Sequence, residues 1–188
     1  VSTSTPTVLL AGDAMQRTLR RMALSIVERT GKRAQDLCLI GVRRGGVDVA
    51  KRLAEAIADL EDESPKVGAV DISLYRDDAA TALPDAKIGP SEIRFPIDGR
   101  EVILVDDVLQ TGRTIRAAID CVLDYGRPRR IWLAVLFDRG GRELPVHPDF
   151  VGKTVDVKPG MKLWVEVDGR EGDRAFLTVA AASTQEVS

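Results

Sequence analysis

Apolar residues recur at helical spacing from Asp13 onward, at Met15, Leu19, Met22, Ala23, Ile26 and Val27, which predicts an amphipathic helix. Asp13 is its expected N-cap and Gly31 its expected stop. The continuous apolar run Leu37 to Val42 then reads as a strand, followed by a glycine turn at Gly45 and Gly46 and a second helical pattern from Val47 to Leu60. Val67 to Leu74 predicts another strand. From Arg76 to Pro96 the periodicity fades and Pro84, Gly89, Pro90 and Pro96 accumulate, the signature of a long functional loop. Within it, Asp77 to Phe95 is expected to form a flexible cover.

Regular patterning resumes with a short strand, Glu101 to Val105, a loop from Asp106 to Arg113, and a helix from Thr114 to Tyr125 that closes at Gly126 and Pro128. Arg130 to Phe137 predicts a further strand. Strands alternating with helices argue for an α/β fold with a parallel sheet, whose ligands sit outside the carboxyl ends of the strands. Lys162 to Val167 and Ala175 to Val179, around the turn Asp168 to Gly172, predict a C-terminal β-hairpin. The 188 residues fit one domain with a core spanning about 8–180, and the tail 182–188 is expected to be disordered.

Composition narrows the class. With 44% hydrophobic and 30% charged residues and a net charge of -2, the chain is globular and carries no general attraction to nucleic acid, so RNA binding would need a local basic patch. Cys38 and Cys121 lie in apolar stretches typical of buried structural thiols, and no metal site is expected from them. No window offers the apolar length of a membrane span and no export signal is visible, which makes the cytoplasm the expected location.

The chemistry concentrates in Val102-Ile103-Leu104-Val105-Asp106-Asp107-Val108-Leu109-Gln110-Thr111-Gly112-Arg113-Thr114. Two carboxylates follow a buried strand and suit the hydroxyls of a neighbouring diol. The Thr-Gly-x-Thr turn that opens a helix offers unpaired N–H groups, hydroxyls and the positive end of a helix dipole, which suit a phosphate dianion. Taken singly, each residue serves equally well to end a strand or shape a turn. A phosphorylated sugar would satisfy both halves together.

Apolar strand, acidic pair and Thr-Gly-x-Thr together resemble the phosphoribosyl pyrophosphate signature of the type I phosphoribosyltransferases. Three further segments, Gly41-Val42-Arg43-Arg44-Gly45-Gly46, Leu74-Tyr75-Arg76-Asp77-Asp78 and Asp138-Arg139-Gly140-Gly141-Arg142-Glu143-Leu144-Pro145, followed by Val151-Gly152-Lys153, resemble in that order the PyrR family of pyrimidine-operon regulators with uracil phosphoribosyltransferase activity. The resemblance implies that uracil and phosphoribosyl pyrophosphate give UMP and pyrophosphate, with Mg2+ chelated by the substrate. It assigns the ribose hydroxyls to Asp106 and Asp107, the 5′-phosphate to Thr111, Gly112, Arg113 and Thr114, and the pyrophosphate to Arg43, Arg44 and the N–H groups of Gly45 and Gly46.

Purine-using relatives carry an aspartate where this chain has Gln110, which cannot act as a carboxylate base; pyrimidine use fits, with the main chain near Phe137 and Asp138 reading the uracil edge. His147, the sole histidine, lies in a proline-bounded loop and is expected at the surface. The family resemblance further implies a homo-oligomer, a dimer or tetramer. It also implies UMP-dependent binding to the leader of pyrimidine-operon mRNA through Arg17, Arg20, Arg21, Arg139, Arg142 and Lys153. The chain differs from the usual family pattern in having Arg44-Gly45-Gly46 for Thr-Arg-Gly and Gly141 for histidine. An RNA-binding sensor of UMP with little catalysis, and transfer to another base, are the alternative readings.

Overall fold

The computed structural model describes residues 6–75, 91–167 and 172–179. Its centre is a five-stranded, wholly parallel sheet in the order β3-β2-β4-β5-β6, formed by β2 (Leu37–Val42), β3 (Lys66–Val70), β4 (Glu101–Leu109), β5 (Arg130–Asp138) and β6 (Phe150–Thr154). Parallel strands need crossovers and covered faces, and the side-chain alternation shows both faces covered. On β4, Ile103 and Val105 join one apolar cluster, whereas Val102 and Leu104 join the other. Helices α1 (Gly12–Thr30) and α2 (Gly45–Glu61) cover the first face; α3 (Arg113–Leu123) and the segment around Ile97 cover the second. The buried stripe of α1 is Met15, Leu19, Met22, Ala23 and Ile26, five of the six positions that the helical periodicity picks out.

A second, antiparallel sheet pairs β7 (Met161–Glu166) with β8 (Arg174–Val179), the expected C-terminal hairpin, whose connecting residues 168–171 lie outside the described residues. Its third strand is β1 (Thr7–Ala11), which pairs with β8 and ties the start of the chain to the hairpin. The sequence pattern gives no hint of β1, because five residues without alternation acquire their structure only from a partner. The ion pair of Arg52 Nη2 with buried Asp173, at 2.9 Å, joins α2 to this small sheet.

Several boundaries depart from expectation. The N-cap of α1 is Ala11, not Asp13; Asp13 sits in the first turn, where its charge complements the helix dipole. Gly31 does end the helix, in the left-handed conformation at φ 59° with its N–H on Val27 O. Strand β3 stops at Val70, and Asp71 to Tyr75 turn away. Strand β4 runs four residues beyond Val105, because its ladder with β5 continues through Asp106↔Val135, Val108↔Phe137 and Leu109↔Asp138. Strand β6 is an element that the sequence pattern leaves unassigned; Gly152 is required there, since a Cβ would lie against Leu136 O. Of the expected cover, residues 77–90 lie outside the described residues. Ser91 to Phe95 instead dock on β3, where Glu92 and Ala69 exchange N–H···O bonds of 2.7 and 3.1 Å.

Candidate functional site

The carboxyl ends of β2, β4 and β5 meet at one edge of the parallel sheet, and the predicted site residues collect there. Asp106 closes the continuous buried run of β4 and half-buried Asp107 follows it: Asp106 is 6% exposed, and its Oδ1 accepts the N–H of Asp107 at 3.0 Å. Asp107 Oδ1 accepts the N–H of Val108 at 2.8 Å. Burial, and then the neighbouring Asp107 charge, push the Asp106 carboxyl well above the ordinary carboxylate range; burial also raises Asp107. Among the described residues no cation pairs with either carboxylate. A diol's hydroxyl protons or a cation brought by a substrate would favour the ionised pair.

The glycine turn after β2 packs directly onto this pair. A Cβ at Gly45 would lie 2.5 Å from Asp107 Cγ, and one at Gly46 would lie 2.9 Å from Asp106 Cα and closer still to Val105 O. Only glycines let the first turn of α2 approach the carboxylates so closely. The first N–H groups of α2, unpaired within the helix, therefore start beside Asp106 and Asp107. Arg44 precedes them and is exposed; Arg43 is half-buried and its Nη2 pairs with Glu92 at 3.1 Å. The Arg43–Arg44 peptide is cis.

The phosphate-type turn follows at the end of β4. Gly112, at φ 91°, is the N-cap of α3, a left-handed conformation that favours glycine. Thr111 Oγ1 accepts the N–H of Arg113 at 3.3 Å, and Arg113 Nε pairs with Glu143 at 2.7 Å. Gln110, Thr111, Arg113 and Thr114 are each exposed or half-exposed around this turn. At the end of β5, Phe137 is buried and Asp138 is partly so. Burial raises the Asp138 carboxyl, but the Arg142 hydrogen bond, the Gly140 N–H and the Arg142 charge outweigh it and hold the group below its ordinary value.

The basic residues separate into two sets. Arg17, Arg20 and Arg21 are exposed on one face of α1; Arg20 lies 3.8 Å from Asp59, and Arg21 donates to the carbonyls of Gly152 and Val151 on β6, beside exposed Lys153. Arg139 is half-exposed at the same carboxyl end of the sheet, one residue past Asp138, the partner of Thr154 on β6. Arg142, named with them, gives its guanidinium to three internal acceptors, and its side chain is 19% exposed. The partners Glu92 and Glu143 escaped the sequence reading, since nothing in their local pattern shows which arginine each would meet. His147 is exposed and Cys38 and Cys121 are buried, with burial pushing both thiols up. No described helix is long and apolar enough to cross a membrane.

Residues 7–167 match the family described as the phosphoribosyl transferase domain. The chain is 48% identical over 165 residues to the bifunctional protein pyrR of Enterococcus faecalis, covering 87% of this chain and 92% of that protein. It is 46% identical over 166 residues to the bifunctional protein PyrR of Pelotomaculum thermopropionicum, covering 87% and 91%. Among solved structures, the hypoxanthine phosphoribosyltransferase of Trypanosoma cruzi matches with a TM-score of 0.68 at 18% identity, over 93% of this chain and 97% of that one. A hypoxanthine-guanine phosphoribosyltransferase from Bacillus anthracis matches at 0.64 and 19%, over 86% and 88%. At these identities the structures speak for the fold alone.

Proposed function

Since the chain belongs to the PyrR family of phosphoribosyltransferases, we propose that it joins uracil to the ribose of phosphoribosyl pyrophosphate, releasing pyrophosphate and forming UMP. The observation that carries this reading is the contact of Gly45 and Gly46 with Asp107 and Asp106. It brings an anion-binding helix start to the diol-binding carboxylates, and the Gly112 turn lies at the end of the same strand. A molecule with a phosphate, a diol and a pyrophosphate in that order spans the three.

In the reaction, a uracil ring nitrogen bonds to the ribose C1′ as the C1′–O bond to pyrophosphate breaks, and the ring proton leaves with the products. Asp106 and Asp107 hold the ribose hydroxyls, and Thr111, Gly112, Arg113 and Thr114 hold the 5′-phosphate at the start of α3. Arg43, Arg44 and the N–H groups of Gly45 and Gly46 take up negative charge as it grows on the leaving group, which favours the transition state over the ground state. The main chain at Phe137 and Asp138 reads the base. Among the described residues no three histidine, cysteine, aspartate or glutamate side chains cluster as a resident metal would require. The carboxylate oxygens of Asp106 and Asp107 nevertheless suit a hard cation, so Mg2+ fits as an ion carried in by the pyrophosphate, whose charge it neutralises.

A regulatory role alongside catalysis is favoured by the exposed Arg17, Arg20 and Arg21 on one helix face, with Lys153 next to the carbonyls that Arg21 grips. RNA whose affinity depends on UMP is the fitting partner. Incubating the protein with phosphoribosyl pyrophosphate, Mg2+ and a panel of bases tests the enzymatic reading: UMP and pyrophosphate should form in equal amounts with uracil. Preferential use of a purine, or no transfer to any base, would overturn it.

A further inference from the structure

We infer that Arg142 is a positioning residue that locks the base end of the site to the phosphate turn, an inference that rests on the phosphoribosyl transfer proposed above. Its guanidinium bonds three acceptors from different parts of the chain: Asp138 Oδ2 at 2.7 Å, Gln110 O at 2.9 Å and Val146 O at 3.0 Å. Asp138 ends β5, where the base is read, and Gln110 opens the turn that takes the 5′-phosphate. One planar, five-donor group therefore fixes the separation of two subsites that no strand pairing beyond Leu109↔Asp138 connects.

The main chain around Arg142 repeats the link. Arg139 N–H bonds Leu109 O at 3.1 Å, and the N–H groups of Glu143 and Leu144 bond Thr111 O at 2.9 and 3.0 Å. With the Arg142 bond to Gln110, three consecutive carbonyls of the phosphate turn are all held by the segment Arg139 to Leu144. Arg113 within the turn also reaches Glu143 at 2.7 Å. The chain can double back this tightly because Gly140 and Gly141 both take left-handed backbone, at φ 67° and 75°, and the second places its Cα side against the Gln110 side chain. A glycine in place of histidine at 141 thus serves the brace. The turn's N–H groups must face the phosphate while the base sits in line with C1′, and a misplacement of about 1 Å between them costs roughly 10²-fold in rate.

Arg142→Ala and Arg142→Lys test the inference. Both should lower kcat/KM at least tenfold with uracil and with phosphoribosyl pyrophosphate as the varied substrate, because a lysine ammonium can meet Asp138 but cannot also fork to Gln110 and Val146. Ethylguanidinium should restore Arg142→Ala at least threefold, and ethylammonium should not. Full activity of Arg142→Lys, or a loss confined to the KM of one substrate, overturns the inference. If Arg142→Ala does not fold, Arg142→Lys and Arg142→Gln carry the same comparison, with loss in both supporting the brace. Wild type that forms no UMP sinks the functional reading and this inference with it; wild type that forms UMP beside fully active variants sinks the inference alone.

Discussion

Substituting alanine separately at Gly45 and Gly46 perturbs the same turn in two different ways, which the structure distinguishes. At Gly45 the added methyl would sit 2.5 Å from Asp107 Cγ, against 3.4 Å for ordinary contact, so the carboxyl must retreat by about 1 Å. That group is the end of a side chain and can rotate away. The fold should therefore tolerate Gly45→Ala, while the displaced carboxylate costs roughly 10²-fold in kcat/KM, about 2.7 kcal/mol of transition-state stabilisation. At Gly46 the obstacle is backbone, Asp106 Cα at 2.9 Å and Val105 O, which cannot step aside. Overpacking of this kind costs about 1–3 kcal/mol, or a fall of roughly 2–4 °C in Tm per kcal/mol for a chain of this size. Thermal melts with steady-state kinetics for phosphoribosyl pyrophosphate read both effects. Gly45→Ala retaining wild-type kcat/KM within threefold would mean that Asp107 is not needed where the structure puts it.

Two other expectations concern charge. Burial raises the Asp106 carboxyl, so its penalty is absent below the unfolded value near pH 4, where both states are protonated, grows as pH rises from there to the folded value, and is constant above it. Asp106→Asn keeps an acceptor for the Asp107 N–H and removes that penalty; it should be less active yet melt higher than wild type at neutral pH, the gap closing toward pH 4. A pH-independent difference in calorimetric Tm would refute this. Replacing Arg17, Arg20 and Arg21 together by glutamine should weaken RNA binding and make its salt dependence shallower by roughly 0.7 per lost phosphate contact on a single strand, with phosphoribosyl transfer intact. An unchanged slope in filter-binding titrations would remove α1 from the RNA surface.

The sequence made the parallel sheet legible because buried strands write themselves as apolar runs, as in Leu37 to Val42 and Arg130 to Phe137. It hid whatever depends on a partner. Strand β1 needs β8, β6 needs β5, and Asp106 to Leu109 look like loop until the ladder with β5 holds them extended. The acidic pair and the Gly112 turn could be read because they are contiguous and chemically unusual. The contact of Gly45 with Asp107 crosses more than sixty residues of chain and could be reached only through the family resemblance. The partners of Arg142 are hidden for a related reason: Asp138, Gln110 and Val146 are brought to its guanidinium only by the fold.

Calorimetric titration of phosphoribosyl pyrophosphate with Mg2+ into wild type and Asp107→Asn tests most directly that the ribose-phosphate site is built at the end of β4. Wild type should bind one molecule per chain. The variant should bind roughly 10–150-fold more weakly, the loss expected when a charge-assisted hydrogen bond of about 1.5–3 kcal/mol is removed, while pyrophosphate alone binds both proteins alike. Equal affinity of the two proteins for phosphoribosyl pyrophosphate would contradict the account.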